Sequence, residues 1–451
     1  MAQRKTAAVI LAAGKGTRMK SALPKVMHPL AGQPMIRHLL ASVDAARLER
    51  AVVVVGPEME SVAKAVAPAP AVVQKDRLGT GHAVLCAKGA FKDFDGDVLV
   101  LYGDTPLLTP ETLRRVMQAR RKGAAVVVLG FEPADPGAYG RLVLGPKGGL
   151  EAIVEYKDAT PPQRAIRLCN SGVMAADSKL LFTLLSKVRN DNAKGEYYLT
   201  DVVALARKKG LVCAVVRAPE EELLGVNSRG EQAAAEAVIQ ARLRNRAMEN
   251  GATLIDPSSV FFSADTKLGR DVTVGPNVVF GPGVSVADDV EIRAFCHIEG
   301  AKIGKGAIVG PFARLRPGAV LGKDAHIGNF VEVKQTVVEA GAKANHLTYL
   351  GDARVGAGAN VGAGTITCNY DGFLKSHTDI GAGVFIGSNS ALVAPVKIGD
   401  GAIVGAGSVI TKDVPADALA TARGNQRVVP GWAKPYRERK KAEKAARKKG
   451  S

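Results

Sequence analysis

Two hydrophobic periods divide this chain. Up to about residue 227, short β-rich apolar runs ("AAVILAAG", "RAVVVVG", "DVLVLYGD", "AAVVVLGF", "RLCNSGVMAA", "LVCAVV") alternate with stretches such as "MIRHLLASVDAA" and "ETLRRVMQARRKG", whose apolar residues recur at helical spacing. That alternation predicts βαβ units and a mainly parallel, Rossmann-like sheet, with ligands beyond the carboxyl ends of its strands. Residues 228–251, rich in Ala, Glu, Gln and Arg and closed by Gly251, read as one long linker helix.

From Leu268 onward an aliphatic residue returns at every sixth position, usually followed by Gly, as in "LGRDVT", "VGPNVV", "IGKGAI", "LGKDAH" and "VGAGAN". This is the signature of a parallel β-helix of hexapeptide repeats over residues 252–432. Roughly twenty inward aliphatics at about 1.5 to 3 kcal/mol each give tens of kcal/mol before chain entropy is subtracted. One break stands out: "TITCNYDGFLKSHTD", residues 365–379, projects as a loop, and His346 and Tyr349 just before it replace the usual small residues.

Composition changes this picture little. The chain has 451 residues, 47% hydrophobic and 23% charged, which suits two globular domains. It lacks an apolar stretch near twenty residues and a cleavable signal pattern, so it is expected to be cytoplasmic. The five cysteines are widely spaced without a Cys-x-x-Cys pair, which argues against a disulfide framework or a zinc site. The net charge of +18 is partly local, because the tail 433–451 holds nine Lys or Arg against two Glu. Without aromatic stacking motifs the tail reads as a solvated or frayed helical end rather than a specific nucleic-acid site, and the remaining charge suits small anionic substrates.

The loop "AAGKGTRM", residues 12–19, follows the first strand. Its glycines are too close for a Walker A loop, and Met19 stands where a dinucleotide fingerprint needs its third glycine. Flexible backbone with Arg18 and Lys25 still offers donors to a polyphosphate, and Asp104 ends an apolar strand where a carboxylate is placed to hold a divalent cation.

The motifs "LAAGKGTRM", "LPKVMHPLAG", "QKDRLGTGHA", "LYGDTPLL", "YGRLVL", "IVEYKDAT", "CNSGVMA", "KGEYYLTD" and "GVNSR" together resemble the sugar-nucleotide pyrophosphorylases. With "FARLRPGA", "GNFVEVKQ", "HLTYLGDA" and "GAGTITCNYDG", the chain from about residue 6 to 432 is similar to the bifunctional N-acetylglucosamine-1-phosphate uridyltransferase and glucosamine-1-phosphate acetyltransferase family. The resemblance implies a left-handed β-helix, a homotrimer, and a place in the supply of peptidoglycan and lipopolysaccharide precursors. In the first half it implies that Leu11, Ala12, Ala13, Gly14, Gln74, Gly79 and Thr80 meet the uracil and nucleotide, with Tyr102 and Gly103 in the same site. Arg18 and Lys25 would act on the UTP phosphates, Gly140, Glu155 and Asn170 on the sugar, and Asp104 and Asn227 on Mg2+.

In the second half the resemblance makes His346 the general base for attack of the sugar amine on acetyl-CoA, with Glu332 orienting or polarising it. Arg316 and Lys334 would hold the sugar phosphate beside Tyr349 and Asn360, while Ala363, Asn369, Tyr370, Ser388, Ala406 and Arg423 would line the acetyl-CoA site. The chain departs from the family pattern at "TARGNQ", where Gly424 and Asn425 replace a Val-Pro pair after the arginine. Two other readings remain open: a single-activity nucleotidyltransferase whose β-helix is a scaffold, and a non-catalytic interaction protein of the same folds.

Overall fold

The computed structural model describes residues 4–192 and 195–449. Lys194, at the head of "KGEYYLTD", and the last two residues of the basic tail lie outside the described residues. The chain divides into two compact units. The first comprises residues 1–250, 261–266 and 280–282, and the second residues 251–260, 267–279 and 283–451.

The first unit is built on the strands β1 (Thr6–Leu11), β2 (Arg50–Val55), β3 (Ala71–Val73), β4 (Asp97–Tyr102), β5 (Val126–Phe131), β6 (Arg141–Leu144), β7 (Leu150–Val154), β8 (Cys169–Asp177) and β9 (Cys213–Arg217). The main sheet runs β9-β5-β8-β4-β1-β2-β3, and β6 pairs with β7 and β8 off that path. β1 lies parallel to β2 and β4, with Leu11 opposite Val54 and Tyr102. Its residues alternate between two cores: Ala7 and Val9 pack with Val52, Val54, Val98 and Val100, whereas Ala8 and Ile10 face Val53, Leu99 and Leu101. A strand covered on both faces reads as an uninterrupted apolar run, as "AAVIL" does. β8 enters antiparallel to β4 and β5, a reversal that an apolar run does not encode.

Helices cover both faces, among them α1 (Met35–Ala45), α2 (Glu60–Val66), α3 (Thr80–Cys86), α4 (Pro110–Arg121), α5 (Ser178–Leu185) and α6 (Asp201–Lys208). α4 starts where the Thr109 hydroxyl accepts from Thr112 N at 3.2 Å with Pro110 in the first turn, and Gly123 at φ 103° follows its end. The long helix α7 (Arg229–Glu249) belongs to this unit: its Ala235 and Ile239 are buried with Leu30, Met35, Leu107 and Val226. The stretch expected to link the halves is thus packed structure of the first.

The second unit is a parallel β-helix. Thr273 pairs with Glu291, Glu291 with Ile308, Ile308 with His326 and His326 with Lys343, a step of 17 or 18 residues and hence three hexapeptides per coil. Val274, Ile292, Val309, Ile327, Ala344, Val361, Ile386 and Val404 stack inward down one face, all buried. The step widens most from Asn360 to Phe385, where the inserted loop leaves the coil. That excursion is shorter than the sequence suggests, because Ile366–Cys368 and Thr378–Ile380 are ladder strands. Thr367 and Thr378 point inward where aliphatics are expected, so the hexapeptide pattern is lost although the coil continues. A final helix, α8 (Ala433–Lys449), carries the basic tail.

Among the described residues no helix is long and apolar enough to cross a membrane. All five cysteines are free thiols, with Cys169, Cys213 and Cys296 buried.

Candidate active sites

In the first unit the carboxyl ends of β1 and β4 open onto two cavities. One of about 310 Å³ is lined by Leu11, Ala12, Ala13, Gly14, Lys25, Gln74, Gly79, Thr80, Tyr102 and Asp104, together with Arg77 and Glu196. The other, of about 500 Å³, shares Thr80, Tyr102 and Glu196 and adds Glu155, Asn170, Tyr156 and Tyr198. Ten residues expected at the nucleotide thus line one cavity, and two expected at the sugar line its neighbour.

Local structure explains the placement. Gly16 sits at φ 64°, and a Cβ there would lie 2.6 Å from Lys25 Cβ, so the second glycine of "GKG" lets the loop close onto Lys25. Gly79, at φ 103°, passes against the backbone of Tyr197 in the same way. Gln74 is 4% exposed and donates to Gly79 O at 3.2 Å, leaving its amide oxygen as an acceptor. Gly103 N donates to Leu11 O at 2.9 Å, and Asn170 N to Gly140 O at 2.8 Å, so both glycines hold site strands in register. Burial, with the nearby Asp104 carboxylate, pushes the Tyr102 phenol well above its usual pKa and keeps it neutral.

Lys25 is the hub. Its ammonium bonds Asp104 Oδ2 and reaches Asn227 Oδ1 at 2.9 Å, so a carboxylate and an amide oxygen converge on one positive charge. Asn227 is held by the N-terminus of α7: its amide N donates to Glu231 Oε2 at 2.7 Å, while Ser228 Oγ and the same carboxylate bond at 3.0 Å. Two hard oxygen donors focused on a cation fit a divalent metal whose remaining ligands are phosphates and water. Arg18 is not brought in: it stands exposed on the turn Thr17–Met19 and lines neither cavity. Arg77, by contrast, went unnoticed in "QKDRLGTGHA". Its Nε donates to Ala13 O at 2.8 Å, which fixes a second cation beside the loop.

In the second unit the carboxylate expected to serve His346 is engaged elsewhere. Glu332 accepts from Arg316 at 2.8 Å and lies 3.8 Å from Arg314, whereas His346 Nδ1 lies 2.7 Å from Asn329 Oδ1. The reason is register. Glu332 sits on the ladder Arg314–Glu332–Tyr349, while Asn329 and His346 are paired neighbours on the adjoining face. Asn329 was legible only as the residue one coil below His346.

Lys334 meets Lys375, a residue of the inserted loop, and the second ammonium holds the Lys334 pKa below its ordinary value. Lys375 and Arg316 are thus the positive neighbours of Lys334, and the Asp352 carboxylate is a negative one. Asn369 is buried and donates to Asp352, Tyr370 lies exposed at the base of the loop, and Asn360 pairs with Lys343 and Phe385.

The remaining expected residues form a column. Gly364 N bonds His346 O at 3.4 Å, Asn389 N bonds Ala363 O at 2.7 Å, and Gly407 N bonds Ser388 O at 2.8 Å. His346, Ala363, Ser388 and Ala406 therefore climb one corner, and Arg423 crowns it by donating to Ala406 O at 2.8 Å.

Comparison with known proteins agrees with both halves. Residues 8–173 match the MobA-like NTP transferase domain, and residues 265–300, 300–335 and 377–412 match the bacterial transferase hexapeptide (six repeats) family. The "Bifunctional protein GlmU" of Paramagnetospirillum magneticum is 66% identical over 447 residues, covering 99% of both chains. The chain belongs to the GlmU family. That of Rhodospirillum rubrum is 68% identical over 96% of this chain and 97% of its own, and that of Xanthobacter autotrophicus 57% identical over 97% and 98%. GlmU proteins join the uridyltransferase and the acetyltransferase that the two sets of motifs imply, so this chain is a two-activity transferase.

Proposed function

We propose that the chain acetylates glucosamine-1-phosphate in the β-helix and then joins the N-acetylated product to UMP from UTP in the first unit, supplying the activated sugar for peptidoglycan and lipopolysaccharide precursors in the cytoplasm. The column from His346 to Arg423 is the observation that carries the acetyl half, because a scaffold has no need to line a catalytic base with small residues and end it on a guanidinium.

In this reading Nδ1–H of His346 donates to Asn329 Oδ1, which leaves Nε2 with the lone pair. Nε2 takes a proton from the sugar ammonium or from the amine as it attacks; nitrogen bonds the thioester carbonyl carbon, and the CoA thiolate leaves. Arg316, Lys334 and Lys375 hold the sugar phosphate, with Tyr349 and Asn360 beside the ring. Glu332 positions Arg316. Acetyl-CoA lies along Ala363, Ser388 and Ala406, with Asn369, Tyr370 and Arg423 around it.

In the first unit an oxygen of the sugar phosphate attacks the α-phosphorus of UTP and pyrophosphate leaves, with no protein nucleophile. Asp104 and Asn227 would hold Mg2+, which when bound neutralises charge on the phosphates. Lys25, Arg77 and the Leu11–Gly14 backbone bind and orient the triphosphate. Gln74 reads the uracil imide, with Gly79 and Thr80 beneath, and Glu155, Asn170 and the Gly140 backbone face the sugar.

The active assembly is a homotrimer. Phe295, Phe312 and Phe330 stack at 4.9 and 5.1 Å between centroids, half exposed and each at positive φ, with Leu347 on the next coil. Three bulky residues in left-handed backbone make an apolar ridge beside the His346 corner, which a second copy would cover.

The test is thiol release from acetyl-CoA on adding glucosamine-1-phosphate, with pyrophosphate release from UTP and N-acetylglucosamine-1-phosphate read in parallel. His346→Ala should abolish the first and spare the second. No thiol release from wild type would leave a single-activity pyrophosphorylase.

A further inference from the structure

At the amino end of β1, away from the catalytic cleft at its carboxyl end, the first unit has a third cavity, of about 540 Å³. Lys5, Arg47, Arg114, Arg115 and Arg121 line it, against the single carboxylate of Glu49. These cations come from three places in the fold: the residue before β1, the turn after α1, and the helix α4. The carboxyl ends of α1 and α4 bring roughly half a negative charge each, which is far less than the cations supply.

The five cations outnumber the carboxylates that pair with them, Glu49 and Glu111. Arg115 donates to Arg217 O at 2.5 Å and Arg114 to Ala45 O at 2.6 Å, so backbone carbonyls fix both guanidinium groups. Lys5 pairs with Glu49 at 2.8 Å, and Arg114 also pairs with Glu111 at 2.9 Å. The Arg47 backbone N donates to Asp44 O at 2.9 Å, but its side chain makes no hydrogen bond or ion pair among the described residues, and the residue occupies left-handed backbone at φ 60°. That position follows the helix end, where glycine is the residue without strain, and arginine there adds charge at the expense of conformational ease.

We propose that this cavity is a second anion site, which takes a ligand carrying two or more contiguous phosphate groups. Guanidinium forks from several directions match such an anion, and no aromatic side chain lines the cavity to stack a base. The volume is in the range of small-ligand sites. The recognised chemistry is the phosphate chain, whether inorganic or borne by a nucleoside.

The test uses the full chain and Arg47→Gly, a change that removes the free cation and suits the local φ, so the variant keeps its thermal midpoint and its pyrophosphate-forming activity. Binding of inorganic tripolyphosphate and of ATP is measured by calorimetry in both proteins. The catalytic cleft contributes equally to each, so the difference reports this cavity. The expected result is a tripolyphosphate site in wild type with Kd below about 1 mM that weakens roughly tenfold or more in Arg47→Gly. Equal loss for ATP and tripolyphosphate identifies the phosphate chain alone as the determinant, and a larger loss for ATP identifies a nucleoside ligand. Identical isotherms in the two proteins for both ligands would overturn the proposal, as would wild-type binding whose loss in Arg47→Gly is matched by unfolding.

Discussion

Asn329 Oδ1 lies 2.7 Å from His346 Nδ1, one coil below it on the same face of the β-helix. A neutral amide fixes the tautomer of the imidazole without adding charge. Asn329→Asp should therefore favour the imidazolium and move the acid limb of acetyl transfer to higher pH. Asn329→Ala should lower kcat about tenfold, less than the 10²- to 10⁴-fold loss from His346→Ala. The pH profile of thiol release reads both.

Glu332 behaves differently, because its partners are Arg316 and Arg314. Glu332→Gln should raise the KM for glucosamine-1-phosphate several-fold and leave the acid limb in place. A shifted limb with unchanged KM would return Glu332 to the side of His346.

The Lys334–Lys375 pair gives an alkaline signature. Because the second ammonium lowers the Lys334 pKa, Lys334 loses its charge at a lower pH than an isolated lysine. Affinity for the sugar phosphate should fall on the alkaline side accordingly. In Lys375→Met overall affinity is weaker, but Lys334 returns toward its ordinary value and the alkaline fall moves to higher pH. KM against pH for both proteins checks the sign.

Gly16→Ala places a methyl 2.6 Å from Lys25 Cβ at a left-handed φ. Displacing Lys25 should cut uridylyl transfer about 10²-fold, in line with the effect of small misplacements in active sites. Acetyl transfer, served by the other unit, should be unchanged, and the ratio of the two rates in one sample is the control.

Chelation should likewise separate the activities. Removing divalent metal is expected to abolish pyrophosphate release and leave thiol release intact, and added Mg2+ to restore the first.

Much of this was legible in the chain because the physics is local. Valine-rich runs buried on both faces announce the central strands, and an aliphatic every sixth residue announces the coils. The antiparallel β8 was not, since "CNSGVMA" has no direction written in it. Thr367 and Thr378 disguised two ladder strands as loop. At the sites, the backbone-lining residues from Leu11 to Gly14 followed from strand topology and resemblance, whereas Lys375 lies in an insertion without register and Asn329 becomes visible only when 17 residues are folded into one turn of the coil.

The corner that carries His346, Ala363, Ser388 and Ala406 also makes the solenoid a ruler. Each coil advances the stack by about 4.8 Å, so three coils separate His346 from Ala406, the residue Arg423 caps, by about 14 Å. In the acetyl-CoA reading the span offered to the acyl carrier is set in whole coils, and it lengthens one coil at a time, by 17 or 18 residues where the coil carries no insertion. A substitution changes how tightly the carrier is held; only an added or deleted coil changes how long a carrier fits.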